Sequence, residues 1–193
     1  MKPGFEDRPV NYVAFYDTLR YCNWLHNGAV TGGDTETGAY TLLGGTVVPA
    51  NGVTVPRNPG ARFVVPTEDE WYKAAYYDPG AGPGDNYWMY PTQSDSATIA
   101  EAPPGGANSA NMAFVLSAVT DGGAYVDTFS YYGAYDMGGN LAETCDVAVR
   151  TSGVIHRGGG FNSAVSFAAA SNRVVYGNLA SQFFSFGFRV ACP

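Results

Sequence analysis

The stretch from Arg157 to Pro193 obeys no regular pattern, and everything before it can be read as its frame. It opens with Arg157-Gly158-Gly159-Gly160-Phe161 and closes with Gly187-Phe188-Arg189-Val190-Ala191. Between Asn162 and Phe186 there is no acid and no lysine, and the one arginine is Arg173. The bulky residues there (Phe167, Val174, Val175, Tyr176, Leu179, Phe183, Phe184 and Phe186) follow neither strand alternation nor a helical stripe. Two readings fit such a segment. One is irregular backbone on a stiff base, offering side chains to a partner; the other is loop-rich core with the rings buried.

At 193 residues the chain fits one domain, 1–193, large enough to bury a real core. Its 25 glycines and 12 prolines are more punctuation than a helical bundle tolerates. Aromatics at 15% against charged residues at 14% argue against disorder and for loops pinned by rings. A net charge of −7 disfavours nucleic acid and anionic membrane surfaces as partners. No apolar run suits a bilayer span, and Met1-Lys2-Pro3-Gly4 begins no export signal. Cys22, Cys145 and Cys192 lack CxxC spacing; one disulfide with a free thiol, or three thiols, both remain open.

Along the chain, Phe15, Leu19, Cys22 and Leu25 stand at helical spacing before Gly28, predicting a helix over about 14–27. His26, near its end, reads as a surface residue suited to the helix dipole. Residues 28–61, with Gly44-Gly45 and Asn51-Gly52 between short apolar runs, suggest a hairpin excursion. Phe63-Val64-Val65-Pro66 reads as a strand, and Thr67 with Glu70 as a capping box opening a second helix over about 67–77. Glu68, Asp69 and Glu70 then complement the helix dipole and are not a metal or catalytic set. Tyr87, Trp88 and Tyr90 suit packing over the helices. Leu141 to Thr144 and Val154 to Arg157 read as strands, with a turn at Arg150 to Gly153 between them. These elements add up to an α+β domain: two helices flanking a small, mainly antiparallel sheet, with long irregular loops.

The pieces Val10-Asn11-Tyr12-Val13, Val65 to Trp71, Tyr135-Asp136-Met137-Gly138-Gly139-Asn140-Leu141, Arg157-Gly158-Gly159 and Gly187 to Ala191 occur together and in order. In this the chain resembles the formylglycine-generating enzyme/sulfatase-modifying factor family, a branch of the C-type lectin fold. The resemblance implies a C-type-lectin-like domain whose N- and C-terminal parts meet. Members usually begin several tens of residues earlier. Where the family usually reads Gly-Asn-x-Trp-Glu-Trp, this chain has Ala142 and Thr144 around Glu143.

The family's oxidases place a cysteine pair after the glycine motif, to bind copper and attack substrate. Here Ser163 and Ala168 stand roughly in those places, and no cysteine lies between Cys145 and Cys192. A hydroxyl at its ordinary pKa cannot replace a thiolate, and His156, the nearest base, has no visible orienting partner. The resemblance therefore points away from an enzyme with catalytic residues, and no cofactor is expected beyond a structural calcium that Asn140 and Glu143 could help hold. The same fold serves the variable proteins of diversity-generating retroelements, in which adenine-directed mutagenesis rewrites a C-terminal repeat. Asn-type codons so rewritten cannot give Lys, Glu, Gln, Met or Trp, and from Phe161 to Phe186 only Gln182 falls outside the permitted set.

The expectation is a ligand-binding, receptor-type protein with 157–193 as its variable region. Its binding residues would be Ser163, Ala164, Ser166, Phe167, Val174, Val175, Tyr176, Asn178, Phe183 and Phe184, gathered on one face. Arg173 is expected to pair with a scaffold carboxylate. The ligand would be a protein or a glycan, not nucleic acid, with no membrane insertion and a cell-surface or secreted setting favoured. The alternatives are a formylglycine-generating oxidoreductase and a structural domain of an exported protein.

Overall fold

The computed structural model describes residues 4–81, 84–147 and 153–193; most of the turn expected at Arg150–Gly153 lies outside them. Two helices carry the regular helical structure, α1 (Phe15–His26) and α2 (Glu68–Tyr76). Strands β1 (Ile99–Ala100) and β2 (Ser109–Ala110) form a small parallel pair. Strands β3 (Ala142–Cys145), β4 (Val154–Arg157), β5 (Val174–Tyr176) and β6 (Phe186–Phe188) make a four-stranded sheet in the order β5-β4-β3-β6. The β3–β4 and β4–β5 pairings are antiparallel and β3–β6 is parallel. The result is the expected α+β arrangement of two helices, a small mainly antiparallel sheet and long loops.

Helix α2 starts where its cap chemistry dictates. The Thr67 hydroxyl accepts from the Glu70 amide at 3.2 Å, and Glu70 Oε2 accepts from the Thr67 amide at 2.8 Å. Trp71, Ala75 and Tyr76 form its buried face against Ile155, Cys145 and Met137. On the other side of the sheet α1 buries Phe15, Tyr16, Leu19 and Cys22 with Tyr40, Val64, Val65 and Val154. Adjacent residues of β4 therefore serve two separate cores, Val154 the α1 side and Ile155 the α2 side, as strand alternation requires. Two of the three acids of α2 are held in ion pairs: Glu70 with Arg57, and Glu68 with Arg173 and Arg157.

Two local expectations change. Residues 28–61 form no hairpin; a single bridge joins Tyr40 and Arg57. Asparagine side chains take the hydrogen bonds a ladder would have made: Asn23 donates to the Thr35 carbonyl and accepts from the Tyr40 amide, Asn27 donates to the Asp34 and Thr37 carbonyls, and Asn58 to that of Gly38. Likewise Phe63–Pro66 is no strand of its own but a bridge, with Val64 and Ala191 exchanging backbone bonds of 2.9 and 2.8 Å. His26 is half-buried, and its Nδ1 accepts from the Arg62 amide at 3.2 Å.

The chain's two ends meet. The Tyr12 and Phe15 amides donate to the carbonyls of Phe183 and Leu179, and Asn11 Nδ2 donates to that of Phe184 at 2.7 Å. Glycine is needed where the framing motifs close on the core. A side chain at Gly158, whose φ is +83°, would stand 2.6 Å from the Met137 carbonyl oxygen. One at Gly187 would stand 2.7 Å from Leu141 and 2.9 Å from the Val10 carbonyl oxygen. Among the described residues, no helix is long and apolar enough to cross a membrane.

Candidate functional site

The C-terminal stretch is held by its main chain. The Ala113 amide donates to the Ser163 carbonyl and that of Phe114 to the Phe161 carbonyl, both at 2.8 Å. The Ala142 amide donates to the Ser185 carbonyl at 2.9 Å, and the Tyr76 hydroxyl to the Ala168 carbonyl at 3.0 Å. Buried Arg157, lying against the rings of Trp71, Tyr72 and Tyr76, donates to the carbonyls of Ala170 and Asn172. Nearly all of these anchors sit outside the stretch and grip peptide oxygens, so they do not depend on which side chain the gripped residue carries.

Arg173 finds the carboxylate expected of it: its Nε lies 2.9 Å from both oxygens of Glu68, at the N-terminus of α2. Arg157 Nε stands 3.6 Å from the same group, so Glu68 links scaffold and stretch.

The ten residues proposed for binding fall in two groups, with Val175 and Phe184 apart from both, and do not share one face. Ser163, Ala164, Ser166 and Phe167 lie on and around a short 3-10 helix, Val165–Ala168; Ala164, Ser166 and Phe167 are exposed and Ser163 half-buried. Tyr176 and Phe183 meet edge to face at 4.7 Å, and both pack on Phe186. Val174 pairs with His156 and Tyr176 with Val154, which puts them on the α1 side of the sheet, where Tyr176, Asn178 and Phe183 line a small cavity with His156. Val175 pairs with Ile155 and points the opposite way, 47% exposed at the sheet edge. Phe184 packs on Phe161, which in turn touches Phe114. The physical reason is strand alternation: residues 174–176 form β5, and three successive residues of a strand cannot face one way.

Three residues outside the ten also belong to this region: His156, Thr144 and Phe186. His156 lies 6% exposed, stacked on Phe186 at 4.2 Å, and Nδ1 makes no hydrogen bond. Burial pushes its imidazole down to about 4, partly offset by the nearby Val154 carbonyl. Thr144 is its register partner on β3, and Phe186 stands beside Ala142 on β6. The alternation of Val154-Ile155-His156-Arg157 was the available clue, since it sets His156 on the same side as Val154.

The chemistry open to the site is limited. Ser163 Oγ accepts from the Gly160 amide at 3.0 Å and so serves the turn. Ala168 is buried, as are Cys22 and Cys145. Burial raises both thiols, that of Cys22 to about 12, which works against thiolate formation. Cys192 is exposed. The side-chain oxygens of Asn140 and Glu143, named above as calcium ligands, are engaged in hydrogen bonds within the fold. Both oxygens of Glu143 accept from Arg189, and Oε2 also from the Trp71 indole at 2.6 Å. Asn140 Oδ1 accepts from the Thr120 amide at 2.9 Å.

Comparison with known proteins agrees with this architecture. A family model, the sulfatase-modifying factor enzyme 1-like domain, matches residues 2–192. Among solved structures, Treponema denticola variable protein 1 is similar at 23% identity and a TM-score of 0.69, covering 96% of this chain and 71% of that one. The crystal structure of CarF is similar at 21% identity and 0.64, covering 100% and 70%. PvdO from Pseudomonas aeruginosa is similar at 18% and 0.54, covering 95% and 61%. No curated protein matched. A match over essentially the whole length, on a scaffold with the fold of these structures, means that the chain belongs to the sulfatase-modifying factor enzyme 1-like family.

Proposed function

We propose that this is a non-catalytic ligand-binding protein that displays a diversified C-terminal surface on a C-type-lectin-like scaffold. The observation that carries the reading is the main-chain grip on the stretch. Carbonyls of Phe161, Ser163, Ala168, Leu179, Phe183, Phe184 and Ser185 are held by groups from elsewhere in the fold, and those of Ala170 and Asn172 by Arg157 at the start of the stretch. Side chains can change there without loss of the anchors, as a variable surface requires. The similarity in fold to a variable protein supports this reading, as does the restricted residue set between Phe161 and Phe186.

Ser163, Ala164, Ser166 and Phe167 form one contact area; Val174, Tyr176, Asn178 and Phe183 form a second, with Val175 and Phe184 at their margins. The ligand is a protein or glycan met outside a membrane. An oxidase of the family type would need a reactive thiol pair in this stretch, and Ser163 and Ala168 do not supply it.

A library randomised at Ala164, Ser166, Phe167, Val175, Asn178 and Phe184 tests the proposal. Most members should stay folded and protease-resistant, and selection against an arbitrary protein target should yield binders. Widespread unfolding would refute the tolerance on which the function depends. In the source genome, a reverse transcriptase beside a near-copy of the final coding segment is the matching expectation.

A further inference from the structure

The turn at Ala113 and Phe114 is built from residues that suit it badly. The Val115 amide donates to the Met112 carbonyl at 3.0 Å, closing a four-residue turn, and both central residues have positive φ, Ala113 at +52° and Phe114 at +58°. Turns of that kind favour Asn-Gly, because a bulky side chain is strained in left-handed backbone. Burial does not offset the strain. Phe114 is 63% exposed, and among the described residues its ring meets only Phe161, edge to face at 6.3 Å. Ala113 and Val115 are exposed beside it and Leu116 is half-buried, an apolar run at the surface of the sort that folding alone disfavours. What holds the turn is the C-terminal stretch: the Ala113 amide reaches the Ser163 carbonyl and the Phe114 amide the Phe161 carbonyl, both at 2.8 Å. The ring is therefore presented at the border of the proposed binding surface, beside Ser163 and, through Phe161, beside Phe184. Strained backbone of this kind gathers where a protein binds or reacts.

We propose that Phe114 is a fixed anchor of the binding surface: a ring outside the variable stretch that enters an apolar hollow on a protein partner, while residues of the stretch read the surface around it. The anchor rests on the reading of the stretch as ligand-binding, and adds to it a contact residue and a partner class. Around the tip Ala113, Val115, Leu116, Phe161 and Phe184 are all apolar, and Ser163 Oγ already accepts from the Gly160 amide. A sugar pressed against such a surface would lose water from its hydroxyls with no polar side chain among these to replace it. An apolar hollow on a protein loses nothing of the kind, and exposed aromatic rings are the usual anchors at protein interfaces. Because the stretch grips the turn through its carbonyls, the anchor stays in place whatever side chains stand at 161 and 163. Holding the ring ready before the partner arrives also removes part of the ordering cost of association.

The test begins with the full chain alone. Phe114→Asn accepts left-handed backbone more readily and should raise the melting temperature by about 2 °C or more. Phe114→Leu keeps both apolar bulk and strain, and should not raise it. Clones selected against lysozyme from the library above, in which Phe114 stays fixed, supply the binding measurement. Asn placed at 114 in those clones should weaken lysozyme binding about thirtyfold in most of them, the loss that follows truncation of an anchor ring. Leu there should retain part of the affinity. A melting temperature that fails to rise with Asn would mean that packing holds the ring, and clones indifferent to Asn would make it a bystander. Either result overturns the anchor and leaves the ligand-binding reading standing. A library that yields no binder overturns that reading, and the anchor with it. On an array of neutral glycans wild type and Phe114→Asn should give the same signals; a signal lost with the ring would overturn the assignment to a protein partner.

Discussion

Ala142 on β3 and Phe186 on β6 are register partners in the parallel pairing, and the Phe186 ring stacks on His156 of the neighbouring strand β4. Ala142 and Thr144 leave room on the α1 side of the sheet. Phe186, stacked on His156 and packed by Tyr176 and Phe183, occupies it. Phe186→Ala should therefore cost about 2–3 kcal/mol in urea unfolding, in line with removal of a largely packed ring. Phe184→Ala, whose side chain is 40% exposed against Phe161, should cost less than about 1 kcal/mol.

Arg157 is the second support of the stretch. Its guanidinium is buried and close to Glu68, and it donates to the Ala170 and Asn172 carbonyls. Arg157→Met removes a charge and leaves Glu68 with Arg173 alone, and two carbonyls lose their donor. The expected loss is about 3 kcal/mol or more. Hydrogen exchange should locate the damage: amides of 165–172 should lose protection before those of β6, whereas uniform loss would mean that Arg157 supports the whole fold equally.

Glu70 makes stability depend on acid. Hydrogen bonding from Arg57 holds its carboxyl at about 2, below the ordinary glutamate value, with the Thr67 amide adding to the effect. A lowered folded pKa means the stabilisation is full above the unfolded value, near 4.3, and fades as pH falls toward the folded one. Wild type should therefore exceed Glu70→Gln in melting temperature by a constant margin above about pH 5, and the margin should shrink between roughly pH 4 and 2. A margin unchanged down to pH 2 would remove the Arg57 pair as its source.

Much of this fold was legible because its signals are local. Thr67 and Glu70 close a capping box whatever the rest of the chain does, and Val154 to Arg157 is a strand with the predicted ends. The loop from 28 to 61 was not legible, since its order comes from Asn23, Asn27 and Asn58 reaching carbonyls many residues away. The binding stretch shows the same boundary. Its framing glycines and its lack of charge stand out in the sequence, but the separation of Val175 from Val174 and Tyr176 depends on β5 pairing with β4, a contact set by register. His156 stood out in the sequence only as a base without an orienting partner, because its stacking on Phe186 exists only after β6 has docked.

Purified protein should not convert a peptidyl cysteine to formylglycine, with or without copper. The two buried thiols are held protonated by desolvation, and the stretch after the glycine motif offers Ser163 as its turn-forming hydroxyl. Mass spectrometry of a sulfatase-motif peptide after incubation checks this. A product 18 Da lighter than the starting cysteine peptide, at a rate that depends on the protein, would make it an enzyme.

The exposed rings of the stretch should separate into two kinds on mutation. Phe167 is 38% exposed on the 3-10 helix, and its backbone amide donates to Ala164 within that turn, so serine in its place leaves the local hydrogen bonds intact. Tyr176 is nearly as exposed, at 37%, yet its ring is wedged between Phe183 and Phe186 over the His156 cavity. Exposure alone would rank the two as equals; ring contacts do not. Phe167→Ser should move the melting temperature by no more than about 2 °C, while Tyr176→Ser with Phe183→Ser should lower it by several degrees, since each kilocalorie is worth about 2–4 °C in a domain this size. Both variants should weaken binding to any partner selected by the wild-type surface, because a truncated interface ring commonly costs ~2 kcal/mol or more of affinity. If Phe167→Ser instead melts like the double variant, the 3-10 helix is core and the first contact area does not exist.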